Sequence, residues 1–446
     1  MAKIIIGNQL TEETVEGDRA LPAEYLTYLA AVTHRLAWCA GANDIIVLPT
    51  EPDPEFLSYV WRRLGIEDSR PVVLVPPPGR RESALLYDDR LHHPEFLGQL
   101  KKLAVDRGAD RLFPFYVDAP ITSLAESLEL KDPLPAAAFL QAGGNELVNS
   151  KTFFRTLAAG IGIPVPRGRT VASVDEAAEF VRPLLRAGQP VIVKQDVHGG
   201  GYGNEILAPA EVLQGYGAER VTVLDPLDDT ALLRHLTGSW DRYSHDGSRR
   251  VVVERYIDGS VPIYIELYIT DEDVTTVGYG EMRMAPVNNG LVIPPPSADL
   301  PSFPGFLDHA RRIGDTVRAL GYRGPMSIDA IVVPTGEILF NEFNGRVGGS
   351  THIHRIGAHL LGPEHWRDRA LIARSRCGWD SLARAVATLE EQGLAFDPET
   401  RTGVVIAGDS HGTPGPSGQC LIVAPDLPEA QAMEARLIRV LGLEDD

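Results

Sequence analysis

Cysteine is scarce: the chain has only Cys39, Cys377 and Cys420, far apart and without a CxxC spacing. This excludes a disulfide framework, a paired-cysteine zinc knuckle and a dithiol redox motif, leaving three buried or incidental thiols as the expectation. Long apolar runs are missing too. Those present, such as Val251-Val252-Val253, are strand-sized, and the first residues lack a charged segment followed by an apolar stretch. Neither a membrane partner nor a secretory leader is expected, and the chain is placed in the cytoplasm. Positive charge is in deficit, with 42 Lys and Arg against 61 Asp and Glu, a formal charge of -19. An acidic chain repels phosphate backbones, which excludes a nucleic-acid partner; a bound polyphosphate must be met by local lysines, a cation and backbone N–H groups.

At 446 residues the chain exceeds one compact core, so two or three domains are expected, and its 44% hydrophobic content is that of an ordinary globular enzyme. Residues 3–131 alternate strands and helices: Ile4–Ile6, a helix over Tyr25–Trp38, Ile45–Leu48, a helix over Glu55–Leu64, Val72–Val75, a helix over Phe96–Asp106, and Leu112–Val117. Such a βαβ series predicts an open parallel sheet. Asp132-Pro133-Leu134-Pro135 breaks the rhythm. Beyond it, Asn149 or Ser150 caps a helix from Lys151 to about Ala159, Ser173-Val174-Asp175-Glu176 reads as a capping box, and Val191–Lys194 is a strand.

From Arg250 to Phe343 the strands lengthen (Val251–Ile257, Ile263–Thr270, Val274–Glu281, Met326–Val333, Glu337–Phe343). Their hairpin-like spacing predicts an antiparallel sheet interrupted by one helix near Leu307–Leu320. Pro294–Pro304 reads as a loop long enough to be functional, Glu364–Gln392 as helices, and the remainder as a β-loop-β-α unit over Val404–Ala407, Cys420–Ala424 and Glu429–Leu441. No internal repeat or low-complexity stretch is present.

The sharpest chemical signal is acidic. Asp329 lies on the apolar strand Ser327–Val333, and after the turn Pro334-Thr335-Gly336-Glu337 comes Glu342-Phe343-Asn344-Gly345-Arg346. Antiparallel pairing brings Asp329 and Glu342 side by side, where two carboxylates repel unless a cation sits between them. Magnesium suits them, since it takes hard oxygen ligands and is held by one or two carboxylates together with substrate phosphates. Alternation puts Glu342, Asn344 and Arg346 on one face. A lone ExN pattern more often marks an exposed polar face, so the other elements decide.

Lys194 ends an apolar strand and precedes His198-Gly199-Gly200-Gly201-Tyr202-Gly203-Asn204. A glycine-rich hairpin lets backbone N–H groups close over phosphates, and a cation at the strand end neutralises one. This is neither a Walker GxxxxGK[ST] pattern nor a Rossmann GxGxxG setting. Lys151 begins its own helix; a surface lysine is the ordinary reading of either cation. In Val251–Ile257, Glu254 or its neighbours Arg255, Tyr256 and Ile257 offer an acceptor for an adenine amino group and backbone amides to read the ring.

In this order NSK at Lys151, VIVK with GGGYGN from Val191 to Asn204, ERYI at Glu254, and the Asp329 to Arg346 motif together resemble the ATP-grasp superfamily across roughly residues 149–355. The resemblance implies an ATP-grasp fold of mixed α/β and α+β class. Its parts are an N-terminal open parallel α/β domain (1–148), a linker helix and lid (149–253), an antiparallel core (254–370) and an appended segment (371–446). It also implies that Lys151 and Lys194 contact ATP phosphates under Gly199, Gly200, Gly201 and Tyr202. Glu254, Arg255, Tyr256 and Ile257 then hold adenine, Asp329, Glu342 and Asn344 bind magnesium, and Arg346 stabilises the acyl-transfer centre. Val261 and Pro262 stand where many members carry a ribose-binding acid, so that contact is unassigned.

The wider layout, with IIIGNQ, GEMRMAP and NEFNGRVGGSTHIH, is similar to the pheganomycin-type peptide ligases of peptide natural product biosynthesis. It implies a small amino acid as donor and a peptide as acceptor, joined through an acyl phosphate with release of ADP; a homodimer is left open. Arg283 is a candidate clamp for a substrate carboxylate. His352 and His354 read as alternating on one strand after Arg346, suited to hydrogen bonding behind the site or general-base work on the incoming amine more than to metal ligation. Three other readings stand beside this one: a biotin-carboxylase-like enzyme, although no AMKM-type biotinyl motif is present; an ATP-binding module without turnover; and a carboxylate kinase serving a thiol or an alcohol.

Overall fold

The computed structural model describes residues 2–9, 23–79, 85–197, 201, 203–212, 214–224, 228–284, 288–409, 413 and 418–443. The first sheet holds β1 (Ala2–Ile6), β2 (Ile45–Val47), β3 (Val72–Leu74) and β4 (Ala109–Pro114) in the order β3-β2-β1-β4, all parallel. Ile4 to Ile6 and Ile45 to Val47 are buried on both faces, which is the condition for a helix-covered parallel sheet. At its carboxyl edge Asn8 takes the N–H of Phe115 at 3.1 Å and donates to the Tyr116 carbonyl at 2.7 Å, locking β1 to β4. The helix expected over Tyr25–Trp38 runs as α over Ala23–Ala31 and tightens to a 3-10 helix over Val32–Cys39.

The second sheet is β5 (Gly168–Val171), β6 (Val191–Lys194), β7 (Asn204–Ala208), β8 (Arg220–Val223) and β9 (Val251–Arg255), ordered β5-β9-β6-β7-β8. Both predicted caps form. Ser150 accepts from the Phe153 N–H at 3.0 Å and opens the helix Lys151–Gly160; Ser173 accepts from Glu176, whose own carboxylate reaches back to the Ala172 N–H.

The third sheet is antiparallel and eight-stranded: β10 (Val261–Ile269), β11 (Val274–Met284), β12 (Asn288–Ile293), β13 (Gly324–Val332), β14 (Ile338–Asn344), β15 (Ala370–Cys377), β16 (Gly403–Gly408) and β17 (Gly418–Ala424), ordered β14-β13-β10-β11-β12-β15-β17-β16. Three expectations are corrected. Ala370–Cys377 lies in the span read as helical but is a strand between β12 and β17, because a short apolar run buried between neighbours carries no helical period. Only Leu382–Glu391 there is a regular α-helix. Pro294–Pro304 holds a 3-10 turn, Pro296–Asp299, and the following helix starts at Phe303. His352 and His354 stand on the helix Thr351–Leu361, whose buried Ile353 and Ile356 follow a helical spacing; the strand reading took a four-residue alternation for a period.

One core packs the helix Phe303–Leu320 under β10, β13 and β14 through Ile263, Ile265, Ile328, Ala330 and Phe340. A larger one joins the first domain to the last through Leu36, Trp38, Phe56 and Trp61 against Leu371, Ile406 and Leu421. The alternate residues of β10, β13 and β14 therefore face away from the helix. Among the described residues no helix is long and apolar enough to cross a membrane. Gly278 on β11 sits where a Cβ would run into the His354 ring. Gly278→Ala is expected to lower stability by about 1–3 kcal/mol through overpacking. Urea denaturation measures this, and an unchanged midpoint would contradict the packing.

Candidate active site

A β-bulge sets the site. From the turn outward Ile338, Leu339 and Phe340 pair with Val332, Ile331 and Ala330, and the register then slips so that Glu342, instead of Asn341, stands beside Asp329. The extra residue turns Glu342 onto the open face and returns Phe343 to the core. Asp329 has Glu342 on one side and Tyr264 on the other; Ser327 in the next row has Asn344 and Glu266. Ser327 Oγ donates to Asp329 Oδ1 at 3.1 Å. Burial, then the neighbouring Glu342 charge, raises Asp329 far above the usual carboxylate range. Burial works against the charge on Glu342 as well, but Lys151 and Lys194 overcome it and hold this carboxyl below its ordinary value.

Lys151, 6% exposed at the start of its capped helix, puts Nζ 3.3 Å from Glu342 Oε2. Its backbone N–H donates to the Asp196 carbonyl, and the Asp196 carboxylate accepts from Ser150 Oγ and the Thr152 N–H, so the helix start is pinned beside the end of β6. Lys194 Nζ lies 2.7 Å from Glu254 Oε2, and Arg155 lies 2.6 Å from Glu254 Oε1. Two cations around one buried carboxylate leave a surplus positive charge at the end of β6. Both Glu254 carboxylate oxygens are engaged by these cations, so its side chain orients Lys194 on the wall where an adenine acceptor is expected. The Arg255 and Tyr256 N–H groups go to Arg167 and Pro190, and among the described residues no backbone acceptor takes the Ile257 N–H. Tyr256 packs with Ile192, Ile206, Ala208 and Ala218, an apolar wall suited to a planar ring.

These groups open on one cavity of about 1060 Å³, lined by Lys194, Gly201, Glu254, Arg255, Tyr256, Ile257, Asp329, Glu342, Asn344 and Arg346. Seven Arg and Lys residues against five Asp and Glu line it, reversing the sign of the chain as a whole. Arg346 donates to Asn344 Oδ1 at 2.9 Å. Gly199, Gly200 and Tyr202 lie outside the described residues. Ser260 and Pro262 border the cavity where a ribose-binding acid was sought, and no carboxylate stands there.

Two expected catalytic residues are elsewhere. Arg283 points to the opposite side of β11 from Met282 and Met284, which line the cavity, and pairs with Glu434 at 2.5 Å; it is a brace for the last helix and not a substrate clamp. His354 is fully buried between Tyr264 Oη (3.0 Å) and His365 Nε2 (2.9 Å), and burial holds its pKa well below the ordinary value. It has no direct path to an amine in the cavity. The sequence reading missed Arg155 and Asp196, and it missed Glu266 and Ser350. A glutamate in the apolar strand Ile263-Tyr264-Ile265-Glu266-Leu267 was the available signal for Glu266.

Magnesium fits the donor set. Two carboxylates on neighbouring strands repel each other and an amide oxygen stands one row away. Among the described residues no group of three His, Cys, Asp or Glu could form a cage without further ligands. A site with few protein oxygens that is completed by phosphates is the habit of magnesium.

Comparison with known proteins bears on the fold. Residues 33–130 match the Pre ATP-grasp domain family, and residues 384–437 match the PGM1 C-terminal domain family. A phosphoribosylamine–glycine ligase from Synechocystis sp. is 25% identical over 241 residues, 50% of each chain. The beta subunit of an ADP-forming succinate–CoA ligase from Desulfatibacillum aliphaticivorans is 29% identical over 124 residues, 26% of this chain and 28% of that one. The chain thus spans half the length, or less, of the curated relatives it matches. Among solved structures, N5-carboxyaminoimidazole ribonucleotide synthetase from Thermus thermophilus superimposes with a TM-score of 0.56 at 17% identity over 99% of this chain and 98% of that one. Biotin carboxylase from Campylobacter jejuni, solved with a nucleotide, gives 0.56 at 13% over 99% and 91%. A biotin carboxylase domain dimer from Hydrogenobacter thermophilus was solved with MgADP and bicarbonate. The fold is the ATP-grasp fold.

Because the protonated form of Asp329 is favoured in the folded protein, this group makes stability fall as pH rises from its unfolded value toward its raised folded value. Asp329→Asn removes that penalty. At neutral pH the ion-free variant is expected to gain up to about 1–2 kcal/mol and to lose the added stability that Mg·ADP gives the parent. Thermal melts with and without Mg·ADP measure both; retained Mg·ADP stabilisation would contradict the assignment.

Proposed function

We propose that the chain is an ADP-forming carbon–nitrogen ligase that activates an amino acid carboxylate as an acyl phosphate and passes it to the amino group of a peptide. The observation that carries this reading is the Asp329–Glu342 pair, with Lys151 Nζ beside Glu342, in one cavity with Lys194 and Arg346. Lys151 and Lys194 neutralise the triphosphate while the wall at Tyr256 and Ile257 receives the base. A divalent ion held by Asp329, Glu342 and Asn344 would supply charge neutralisation at the phosphoryl group being transferred. The substrate carboxylate attacks the γ-phosphate and ADP leaves. The amine then attacks the acyl carbon, and Arg346 donates to the oxyanion that forms. The lid sheet keeps water from the acyl phosphate.

A cavity of about 1060 Å³ exceeds the need of a nucleotide alone. It is also lined by Tyr25, Tyr28, Leu29 and Val32 from the Ala23–Ala31 helix and the 3-10 helix that continues it, whose mixed apolar and hydroxyl surface suits peptide side chains. Similarity to a ligase named for joining glycine to an amine supports an amino acid donor. A second reading takes bicarbonate as the acid, which the biotin carboxylase domain solved with MgADP and bicarbonate favours.

An ADP-release screen of amino acids, each with and without a short peptide, tests the proposal. Release stimulated by both together is expected. AMP as product would remove the acyl-phosphate step, and stimulation by bicarbonate alone would install the second reading. Arg346→Ala is expected to lower kcat about 10²–10³-fold while ATP affinity changes less than about threefold; a loss confined to ATP affinity would place Arg346 at the nucleotide instead.

A further inference from the structure

Val261–Ile269 is apolar except for Glu266, which faces the functional side of the sheet beside Ser327 yet is only 3% exposed. Its roof is the segment that follows Arg346. Ser350 Oγ donates to Glu266 Oε1, Thr351 Oγ1 lies 3.1 Å from each carboxylate oxygen, and the Gly348 N–H donates to Thr351 Oγ1 at 2.8 Å. No ion-pair partner reaches Glu266 among the described residues. Arg35 from the 3-10 helix and Arg355 from the helix Thr351–Leu361 face it at longer range, with Tyr264 and Cys39 as the other titratable neighbours. A buried carboxylate held by hydroxyls alone is costly, and such groups persist where chemistry uses them. Burial pushes its pKa up to about 7, against the Ser350 and Thr351 hydrogen bonds and the two arginines.

Ser350 is the link between this carboxylate and the cavity. With Gly348 and Gly349 it lines the wall four positions past Arg346. On the ligase reading, the amine that attacks beside Arg346 arrives as an ammonium and must shed protons to form a neutral amide. We propose that Ser350, backed by Glu266, is the proton acceptor of the acyl-transfer step. One ammonium proton passes to Ser350 Oγ as the serine proton passes to Glu266 Oε1, and the lone pair so freed bonds to the acyl carbon. The C–O bond to phosphate then breaks, and phosphate leaves with the electron pair and takes up the second N–H proton as hydrogen phosphate, giving the neutral amide. Ser350 is the group that touches the amine, and Glu266 acts through it. The Tyr264–His354–His365 chain borders the same wall, so His354 bears on the site only through Tyr264.

Hydroxylamine separates this role from a structural one, because it is already neutral near pH 7 and attacks acyl phosphates without a base. With the acid and peptide found by ADP release, Ser350→Ala and Glu266→Gln are expected to lower amide formation about 10²-fold or more. Hydroxamate formation from the same acid and ATP should change less than about threefold, and Ser350→Thr should recover most of the amide rate. The rise of kcat/KM with pH through about 7 in the parent, where Glu266 ionises, should disappear in Ser350→Ala. If Glu266→Gln does not fold, Ser350→Ala decides alone. Equal loss of amide and hydroxamate overturns the proposal, as does an unchanged amide rate. If the parent forms hydroxamate with no acid at all, the ligase reading itself fails and this proposal falls with it.

Discussion

Two carboxylates that repel each other govern this structure. Asp329 and Glu342 stand on neighbouring strands because one surplus residue, Asn341, shifts the β14 register. Without that bulge an asparagine would face Asp329, and Glu342 would point into the core under the helix Phe303–Leu320. The protein alone answers the repulsion in part: burial and the Glu342 charge favour the protonated form of Asp329, and the ammonium of Lys151 stands beside Glu342. A folded state that retains such a conflict is built for a charge that arrives from outside, and a hard cation with phosphate oxygens is the charge that matches.

The rest of the architecture makes an anion welcome in an acidic protein. The Arg155–Glu254–Lys194 triad is buried, and the desolvation of three charges is offset only because each has a close partner. Its surplus positive charge lies at the end of β6, and Lys151 is brought to the same place by the Asp196 contacts at the start of its helix. The first domain and the last strands complete the enclosure. Gln9 and Phe115, at the carboxyl edge of the parallel sheet, share the cavity wall with Gly408 and Gln419 from β16 and β17, which is where ligands settle on open α/β sheets. The strands β15, β17 and β16 extend the antiparallel sheet by pairing with β12, so the last segment helps form the same cavity.

Much of this was legible in the amino-acid order, for physical reasons that can be named. The parallel sheet announced itself through runs such as Ile4–Ile6, and the helix caps at Ser150 and Ser173 through hydroxyls placed three residues before an amide. The pairing of Asp329 with Glu342 was expected, but its cause was not, since a bulge leaves no mark on hydrophobic alternation. Ala370–Cys377 was misread because its apolar start, Ala370–Ala373, is too short to show a distinguishing period. His354 and Arg283 were misassigned because spacing along a chain does not say which side of a strand or helix meets the cavity. The partners of Glu254 could not be seen at all, since Arg155 lies far from it in the chain and meets it only in the folded protein.

Crystals grown with ADP and manganese in place of magnesium give the most direct trial of the central claim. The account predicts an anomalous peak bound by oxygens of Asp329 and Glu342, with the ADP phosphates in reach of Lys151 and Lys194. Nucleotide in the cavity while both carboxylates remain paired with each other and carry no metal would contradict it.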